Sequence, residues 1–210
     1  ASPPQINPIN LAKPPHDPTG NTMLYPTWEE EFGPRRKDPR RQLQGARNKA
    51  LGEYLEETLS RTCLLYRERG LAYIEKTPEP MRPTRNLGNG RFEAHFVGRA
   101  QPDYKGTLRG GQAVVLEAKA ASGASIRRDR VTAAQMEALE THSRLGALAL
   151  VVVWLEGRGI YAVPWELWRE MKEKTGRASL SYRELEPYRA PLRQGVWDFL
   201  RLIDDGGVGR

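Results

Sequence analysis

The sequence is poor in the residues that build disulfides, zinc sites and nucleotide-binding loops. Its only cysteine is Cys63, so no disulfide can form within the chain, and the reducing cytoplasm is the expected location. The three histidines, His16, His95 and His142, do not have the spacing of a zinc motif. Neither G-x-x-x-x-G-K-[ST] nor G-x-G-x-x-G occurs, so the sequence gives no support for an ATP-driven or dinucleotide-dependent activity.

Long apolar runs are missing as well. The longest one, ALALVVVWL, covers residues 147–155 and is far shorter than the roughly 20 residues that a membrane-spanning helix needs. The first thirty residues contain no apolar run that resembles a signal peptide. We therefore expect a protein without a membrane partner.

Positive charge is what the sequence has in excess. Lys and Arg number 33 against 26 Asp and Glu, which gives a net charge of +7 and favours a polyanionic partner such as nucleic acid. Residues 1–34 are rich in proline and carry more acids than bases, which is typical of an extended arm without its own core. We expect a flexible arm over residues 1–45, basic at its end, and a folded domain over residues 46–210.

The basic run RRKDPRRQLQGARNK, residues 35–49, supplies most of the excess charge. We expect its first basic residues to contact phosphates; they are Arg35, Arg36, Lys37, Arg40 and Arg41. A solvated charge run that binds nothing is the alternative that the sequence leaves open.

Hydrophobic periodicity predicts a chain in which helices and strands alternate. Over residues 46–69, apolar side chains recur every three or four positions, as one face of a helix requires; they are Leu51, Leu55, Leu59, Cys63 and Tyr66. At about 100° per residue, Glu56 lies at the border of this apolar face, where its side chain could face a site or simply be solvated. Strands are predicted at residues 71–76, 91–97, 112–119 and 147–154.

Three further segments complete the predicted pattern. Residues 77–90 hold three prolines and two glycines, so we predict a projecting loop there rather than sheet. A helix over residues 131–145 carries Gln135 and His142 on its apolar face; we interpret His142 as a core histidine, whereas Gln135 could point into a site. Another helix begins at Pro164, and its Trp165 and Trp168 are predicted to pack in the core.

The stretch PDYKGTLRGGQAVVLEAK, residues 102–119, is predicted to form a hairpin that turns at Gly110 and Gly111. A three-residue loop centred on Gly110 would place Asp103 opposite Glu117, with Cβ atoms about 4.5–5.5 Å apart. Lys119 would project from the same face, because side chains alternate along a strand. A two-residue loop would instead turn Asp103 to the other face.

Two facing carboxylates repel each other unless a proton or a cation lies between them. Mg²⁺ is the predicted cation, because it takes carboxylate oxygens and can activate water for attack on phosphorus. A neighbouring lysine can orient that water or stabilise charge that develops on a phosphate. A purely structural ion pair of Lys119 with one carboxylate is the alternative reading.

The order Asp103, Glu117-Ala118-Lys119, Gln135 resembles the PD-(D/E)-x-K nuclease pattern, and the segments PDYKG and LEAKA resemble the RecU family of Holliday junction resolvases. The likeness runs from about residue 52 to 171. It implies an α/β, restriction-endonuclease-like core with a central mixed β-sheet flanked by helices. It further implies a homodimer whose stalk, here residues 78–101, projects into the junction.

The resemblance also implies roles for particular residues. Glu56, Asp103, Glu117 and the carbonyl of Ala118 would bind Mg²⁺, with Mn²⁺ as a substitute, Lys119 would be the catalytic lysine, and Gln135 would support the site. Basic residues of the stalk, Arg82 and Arg85, would contact DNA. The segment ASGASIRRDR, residues 121–130, departs from the family pattern.

The function expected from these features is Mg²⁺-dependent resolution of four-way DNA junctions in recombination or repair, alongside other recombination proteins. A restriction-like or phage-type endonuclease on the same fold is the first alternative. A non-catalytic DNA-binding recombination factor is the second, although such a protein would have no need of Asp103, Glu117 and Lys119 together.

Overall fold

A computed structural model describes residues 39–96, 101–193 and 195–200. The chain divides into two compact units, residues 1–42 and 43–210. The described residues of the first unit, 39–42, are helical, and Arg35, Arg36 and Lys37 lie outside the described residues. The predicted arm boundary at residue 45 remains a prediction.

The second unit contains most of the secondary structure. The helices are α1 (Pro39–Glu68, which begins in the first unit), α2 (Ala133–Arg144), α3 (Trp165–Arg169), α4 (Met171–Thr175) and α5 (Tyr182–Leu185). The strands are β1 (Ala72–Lys76), β2 (Met81–Gly88), β3 (Arg91–Phe96), β4 (Tyr104–Leu108), β5 (Ala113–Ala121), β6 (Ser125–Arg127), β7 (Leu148–Leu155), β8 (Gly159–Pro164), β9 (Ser179–Ser181), β10 (Leu192–Arg193) and β11 (Val196–Trp197). Two 3₁₀ turns cover Arg128–Arg130 and Glu186–Tyr188.

A five-stranded sheet in the order β1-β4-β5-β7-β8 forms the centre of the fold. β5 and β7 run parallel, and the other neighbours are antiparallel. A parallel pair needs a long crossover, and α2 lies in the connection between these two strands. The predicted α/β class with a central mixed sheet flanked by helices is confirmed.

The two faces of the sheet pack against different helices. On one face, Val114 and Leu116 of β5 join Leu55 and Leu59 of α1 in one apolar cluster. On the other face, Val115 joins a cluster that includes Leu139 of α2 as well as the predicted core tryptophans, Trp165 and Trp168. The alternation of side chains along β5 therefore decides which helix each of its residues meets.

The helix α1 begins earlier than the periodicity predicts, at Pro39, but its buried face is the predicted one. Its buried apolar residues include Leu51, Leu55, Leu59, Cys63 and Tyr66. Within the described ranges, no helix is long and apolar enough to cross a membrane.

The prediction of a loop at residues 77–90 is wrong. β2 and β3 pair as an antiparallel hairpin, with Met81 opposite Phe96 and a turn around Asn89, whose φ is 51°. Proline is tolerated here because each strand of an isolated pair has one open edge, where no N–H is needed, and the pairing is irregular just after Pro83. Every residue of β2 is exposed, so the segment does project away from the core.

Two smaller differences concern the region after β8. Pro164 ends β8 and lies at the N-cap of α3, one position before the predicted first turn. The helix predicted to follow is split into α3 and α4 at Glu170.

His142 of α2 is partly buried. Its burial and, to a smaller extent, the nearby positive charge of Lys105 lower the pKa of its imidazole.

A glycine in the middle of the sheet controls how closely β1 approaches β4. Gly106 lies opposite Ile74 of β1 and Val114 of β5. A Cβ atom at this position would lie 2.0 Å from the carbonyl oxygen of Tyr73 and 2.6 Å from the Cα of Ile74. No L side chain fits here unless the backbone of β1 moves.

We expect Gly106→Ala to destabilise the protein by about 3 kcal/mol, because the added methyl group forces two strands apart. The matched control is Gly52→Ala in α1, where an added Cβ meets no atom of the described residues within 4 Å. Alanine is the better helix former, so this control should be neutral or stabilising by up to about 1 kcal/mol. Chemical denaturation followed by circular dichroism measures both values, and an unchanged midpoint for Gly106→Ala would contradict the close approach.

Candidate active site

The β4–β5 hairpin brings the two predicted carboxylates together. Tyr104 pairs with Leu116 and Thr107 with Ala113, so the loop is centred on Gly110 as predicted. The N–H of Leu108 donates to the carbonyl of Gln112 at 2.8 Å and closes the three-residue loop. Continued by one residue, this register places Asp103 opposite Glu117.

Asp103 is held in place through both its backbone and its side chain. The N–H of Thr77, just after β1, donates to the Asp103 carbonyl at 2.8 Å. The N–H of Ala118 donates to Asp103 Oδ2, also at 2.8 Å. The carboxylate is therefore fixed beside the middle of β5, where it can share a cation with a residue of that strand.

Glu117 has a fully buried side chain, and its two oxygens have different surroundings. Oε1 accepts from Lys119 Nζ at 2.6 Å and also from Nε2 of Gln135. Oε2 is buried and has no hydrogen-bond partner among the described residues. A buried carboxylate oxygen without a donor is costly, and a cation at that position would remove the cost.

Burial raises the pKa of the Glu117 carboxyl from its ordinary 4.5 to about 7. Lys119 opposes this effect through its positive charge and its hydrogen bond, whereas the negative charge of Asp103 adds to it. The site therefore holds a proton up to near-neutral pH unless another cation replaces it.

Gln135 is oriented by the start of α2. Thr132 is the N-cap, and the Gln135 Oε1 accepts from the Thr132 N–H at 3.0 Å in a capping box. With its oxygen used in this way, the amide presents Nε2 to Glu117. The sequence T-x-x-Q before an apolar helix is a capping signal that predicts this orientation, and the periodicity alone does not contain it.

The carbonyl of Ala118 faces the same side as Asp103. In a strand, the N–H and C=O of one residue point toward the same neighbouring strand, and the Ala118 N–H points to Asp103. Pairing with β4 ends at Leu116, so no strand of the described residues lies beside this edge of β5 at Ala118. Asp103, Glu117 and the Ala118 carbonyl are thus within one small region.

Glu56 is not brought into this group. Its helix, α1, packs on the opposite face of the sheet from Glu117, and its half-exposed carboxylate accepts from Lys76 Nζ at 2.6 Å. The backbone carbonyl of Glu56 accepts from the Tyr104 hydroxyl, so the helix itself does pass close to β4. In the described part of the chain, no three side chains among His, Cys, Asp and Glu are grouped as metal ligands.

Four of the residues predicted to bind DNA lie within the described ranges. Arg82 and Arg85 are exposed on β2. Arg40 is exposed in the first turn of α1, and Arg41 belongs to the same turn. Their roles stay predictions.

The donors present fit a hard divalent cation such as Mg²⁺. Asp103, Glu117 and the Ala118 carbonyl offer only oxygen, which is the ligand type that this ion takes, and the donor-free Oε2 of Glu117 is the oxygen that most requires it. Mg²⁺ also keeps several waters, so a small number of protein ligands is sufficient.

Two opposed carboxylates and a lysine on a hairpin of a mixed α/β sheet form the arrangement that the PD-(D/E)-x-K pattern describes. The model of the RecU family, Recombination protein U, matches residues 50–205, and the chain belongs to this family. It is therefore a member of a family of recombination proteins. None of the curated proteins matches the chain.

Among solved structures, the chain is similar to Hjc, a Holliday junction resolvase from the archaeal hyperthermophile Archaeoglobus fulgidus. The sequences are 18% identical, and the match covers 55% of this chain and 74% of that one with a TM-score of 0.36. The family assignment does not depend on this likeness.

The raised pKa of Glu117 predicts a pH-dependent loss of stability in metal-free protein. Because the folded-state pKa lies above the unfolded one, the stabilising effect of the bound proton is complete below about pH 4.5 and is lost as the pH rises to about 7. Glu117→Gln carries no charge to bury, so its stability relative to the parent should rise over this range by on the order of 3 kcal/mol. Thermal unfolding in EDTA at about pH 5 and about pH 8 measures the difference.

The control for this measurement is Glu57→Gln, which changes a glutamate with a side chain 63% exposed. Its stability relative to the parent should be nearly the same at both pH values. An equally flat response for Glu117→Gln would contradict the raised pKa.

Proposed function

We propose that this chain is an Mg²⁺-dependent endonuclease that resolves four-way DNA junctions during recombination. The observation that carries the proposal is the Glu117 carboxylate, which is fully buried, faces Asp103, contacts Lys119 and has one oxygen without a donor. Membership of the RecU family supports junction DNA as the substrate.

Asp103, Glu117 and the Ala118 carbonyl would hold the metal ion. When bound there, Mg²⁺ would neutralise charge on a phosphate oxygen and lower the pKa of water. Glu56 remains a predicted further ligand, and it would have to leave Lys76 to reach the site. Mn²⁺ takes similar oxygen ligands and is the expected substitute.

The chain's own residues would position the water and the phosphate. Lys119 donates to Oε1 of Glu117, which would leave Oε2 for the metal ion, and its remaining N–H donors would be available to an attacking water or a phosphate oxygen. Gln135 fixes the same carboxylate from the side of α2. In the reaction, the water oxygen bonds to phosphorus, one phosphorus–ester oxygen bond breaks, and a proton from the water ends on the leaving oxygen.

The β2–β3 hairpin is the proposed source of junction selectivity. It is inserted between β1 and β4, and Thr77 and Asp103, at the two ends of the insertion, are hydrogen bonded to each other. The hairpin therefore starts beside the proposed active site. With exposed basic residues such as Arg82 and Arg85, it can enter the open centre of a four-way junction, whereas a linear duplex has no such cavity.

A homodimer is part of the proposal, because resolution requires cuts in two opposing strands. Other recombination proteins are expected partners of the same process. A restriction-like nuclease and a non-catalytic binding factor are the functions that the experiments below would reveal instead.

The first experiment tests the chemistry with a four-way junction, a matched duplex and a single strand, each with and without Mg²⁺. Asp103→Asn and Glu117→Gln should each lower junction cleavage by about 100-fold or more, because each removes a metal-binding charge. Lys119→Ala should also lower the rate strongly, while junction binding by all three variants changes little.

Glu56→Gln is a further variant, and it tests whether the carboxylate that pairs with Lys76 takes part in cleavage. Undiminished cleavage by Asp103→Asn or Glu117→Gln would overturn the site. Binding of the junction without any cleavage by the parent protein would instead indicate a binding factor.

The second experiment tests the hairpin. Replacing residues 82–95 with a short Gly-Ser turn keeps the paired ends Met81 and Phe96 and leaves the carboxylate site intact. The shortened protein should cut junction and duplex at similar rates, because the element that reads the open centre is gone. Gel assays with both substrates measure the ratio.

The matched control for the deletion is the full-length hairpin with Arg82→Gln and Arg85→Gln. If selectivity comes from shape, this variant should bind more weakly at every site yet still prefer the junction. A shortened protein that keeps the parental preference would show that selectivity lies elsewhere, such as in the dimer.

A further inference from the structure

Beyond the carboxylate pair, one edge of β5 pairs with no other strand in the ranges that the structure describes. β5 pairs with β7 as far as Ala121, whereas its pairing with β4 ends at Leu116. On this free edge, the Ala118 N–H binds Asp103, and two residues farther the Ala120 carbonyl accepts from Arg130 Nη2 at 3.1 Å. Two residues of a strand span about 6.6 Å, so the Arg130 guanidinium lies close to the proposed metal site.

A groove with a volume of about 210 Å³ lies beside Arg130. We call it the β5–β6 groove; its lining includes Asn48, Ser122, Gly123, Ser125, Arg127 and Arg130. Among the described residues, two arginines and no acids line it, and the small residues of the turn leave room for a bulky anion. Guanidinium groups match the oxygens of a phosphate in a two-pronged geometry.

The two arginines are held differently. Arg127 is paired with Asp129, and both side chains are mostly exposed. Arg130 is fixed by its bond to the β5 backbone, which occupies one donor of a group that has five. Arg130 is thus preorganised beside the groove and retains donors for a ligand.

The same short segment also supports the carboxylate site. Thr132, two residues after Arg130, caps α2 and orients Gln135, which donates to Glu117. A phosphate bound at Arg130 and a phosphate at the carboxylate pair would therefore be positioned by one continuous stretch, residues 130–135.

We propose that the β5–β6 groove binds a backbone phosphate of the DNA strand being cut, one close to the scissile phosphate, with Arg130 as its main ligand. The inference rests on the proposed function, because it takes the strand at the carboxylate pair to be the substrate. A contact of this kind sets the register of the strand without reading its bases.

The test compares Arg130→Gln with Arg144→Gln, a matched change at the far end of α2, about 18 Å from Thr132 along the helix. Binding of a labelled four-way junction is measured in EDTA over a range of salt concentrations. Arg130→Gln should weaken binding at low salt by about tenfold and reduce the slope of log K against log salt by about one, as expected for one lost phosphate contact. Arg144→Gln should change neither value.

Ser122→Asp is a second variant that places a negative charge in the groove without removing the bond between Arg130 and Ala120. It should weaken binding in the same direction, so the proposal remains testable if Arg130→Gln does not fold. The proposal would be overturned if every variant that folds bound the junction with the same affinity and the same salt slope as the parent protein.

Neutral methylphosphonate linkages, placed one at a time on either side of the cut, identify the phosphate. At one position, the replacement should weaken junction binding by the parent protein by about tenfold. It should not change binding by Arg130→Gln, because that variant already lacks the contact. Equal losses in both proteins at every position would overturn the proposal. Failure of the parent protein to bind or cut junctions would instead refute the proposed function itself.

Discussion

The burial of Glu117 opposite a second carboxylate is the constraint on which the site depends. A carboxylate without solvent contact loses its hydration, and the charge of Asp103 makes ionisation less favourable still. Lys119 and Gln135 compensate at one oxygen only. The other oxygen has no donor in the part of the chain that the structure describes, so a cation at that position would stabilise the carboxylate.

The alternation of side chains along β5 puts the residues of the proposed site on one face of the sheet. Val114 and Leu116 face α1 and form core, whereas Glu117 and Lys119 face α2, which supplies Gln135. Because the capping box of α2 fixes that amide, a local helix signal determines the orientation of a residue in the site. The helix α1, which carries Glu56, packs on the opposite face.

The placement of the β2–β3 hairpin follows from the pairing of β1 with β4. The two strands are adjacent in the sheet although the whole hairpin lies between them in the chain. The close approach at Gly106 and the bond from Thr77 to Asp103 hold the base of the insertion together. A projecting element and the proposed active site therefore share one support.

The sequence by itself determined the β4–β5 hairpin and its register, because a glycine pair defines a short turn and the turn fixes which residues are opposite. It also determined the buried face of α1, since that pattern depends only on helical periodicity. The strand character of residues 81–88 was not predictable from proline content, because proline is tolerated where a strand has an open edge. Only the tertiary structure decided that Glu56 pairs with Lys76, that Gln135 donates to Glu117 and that Arg130 reaches Ala120, because each contact joins elements whose relative positions come from packing against the sheet.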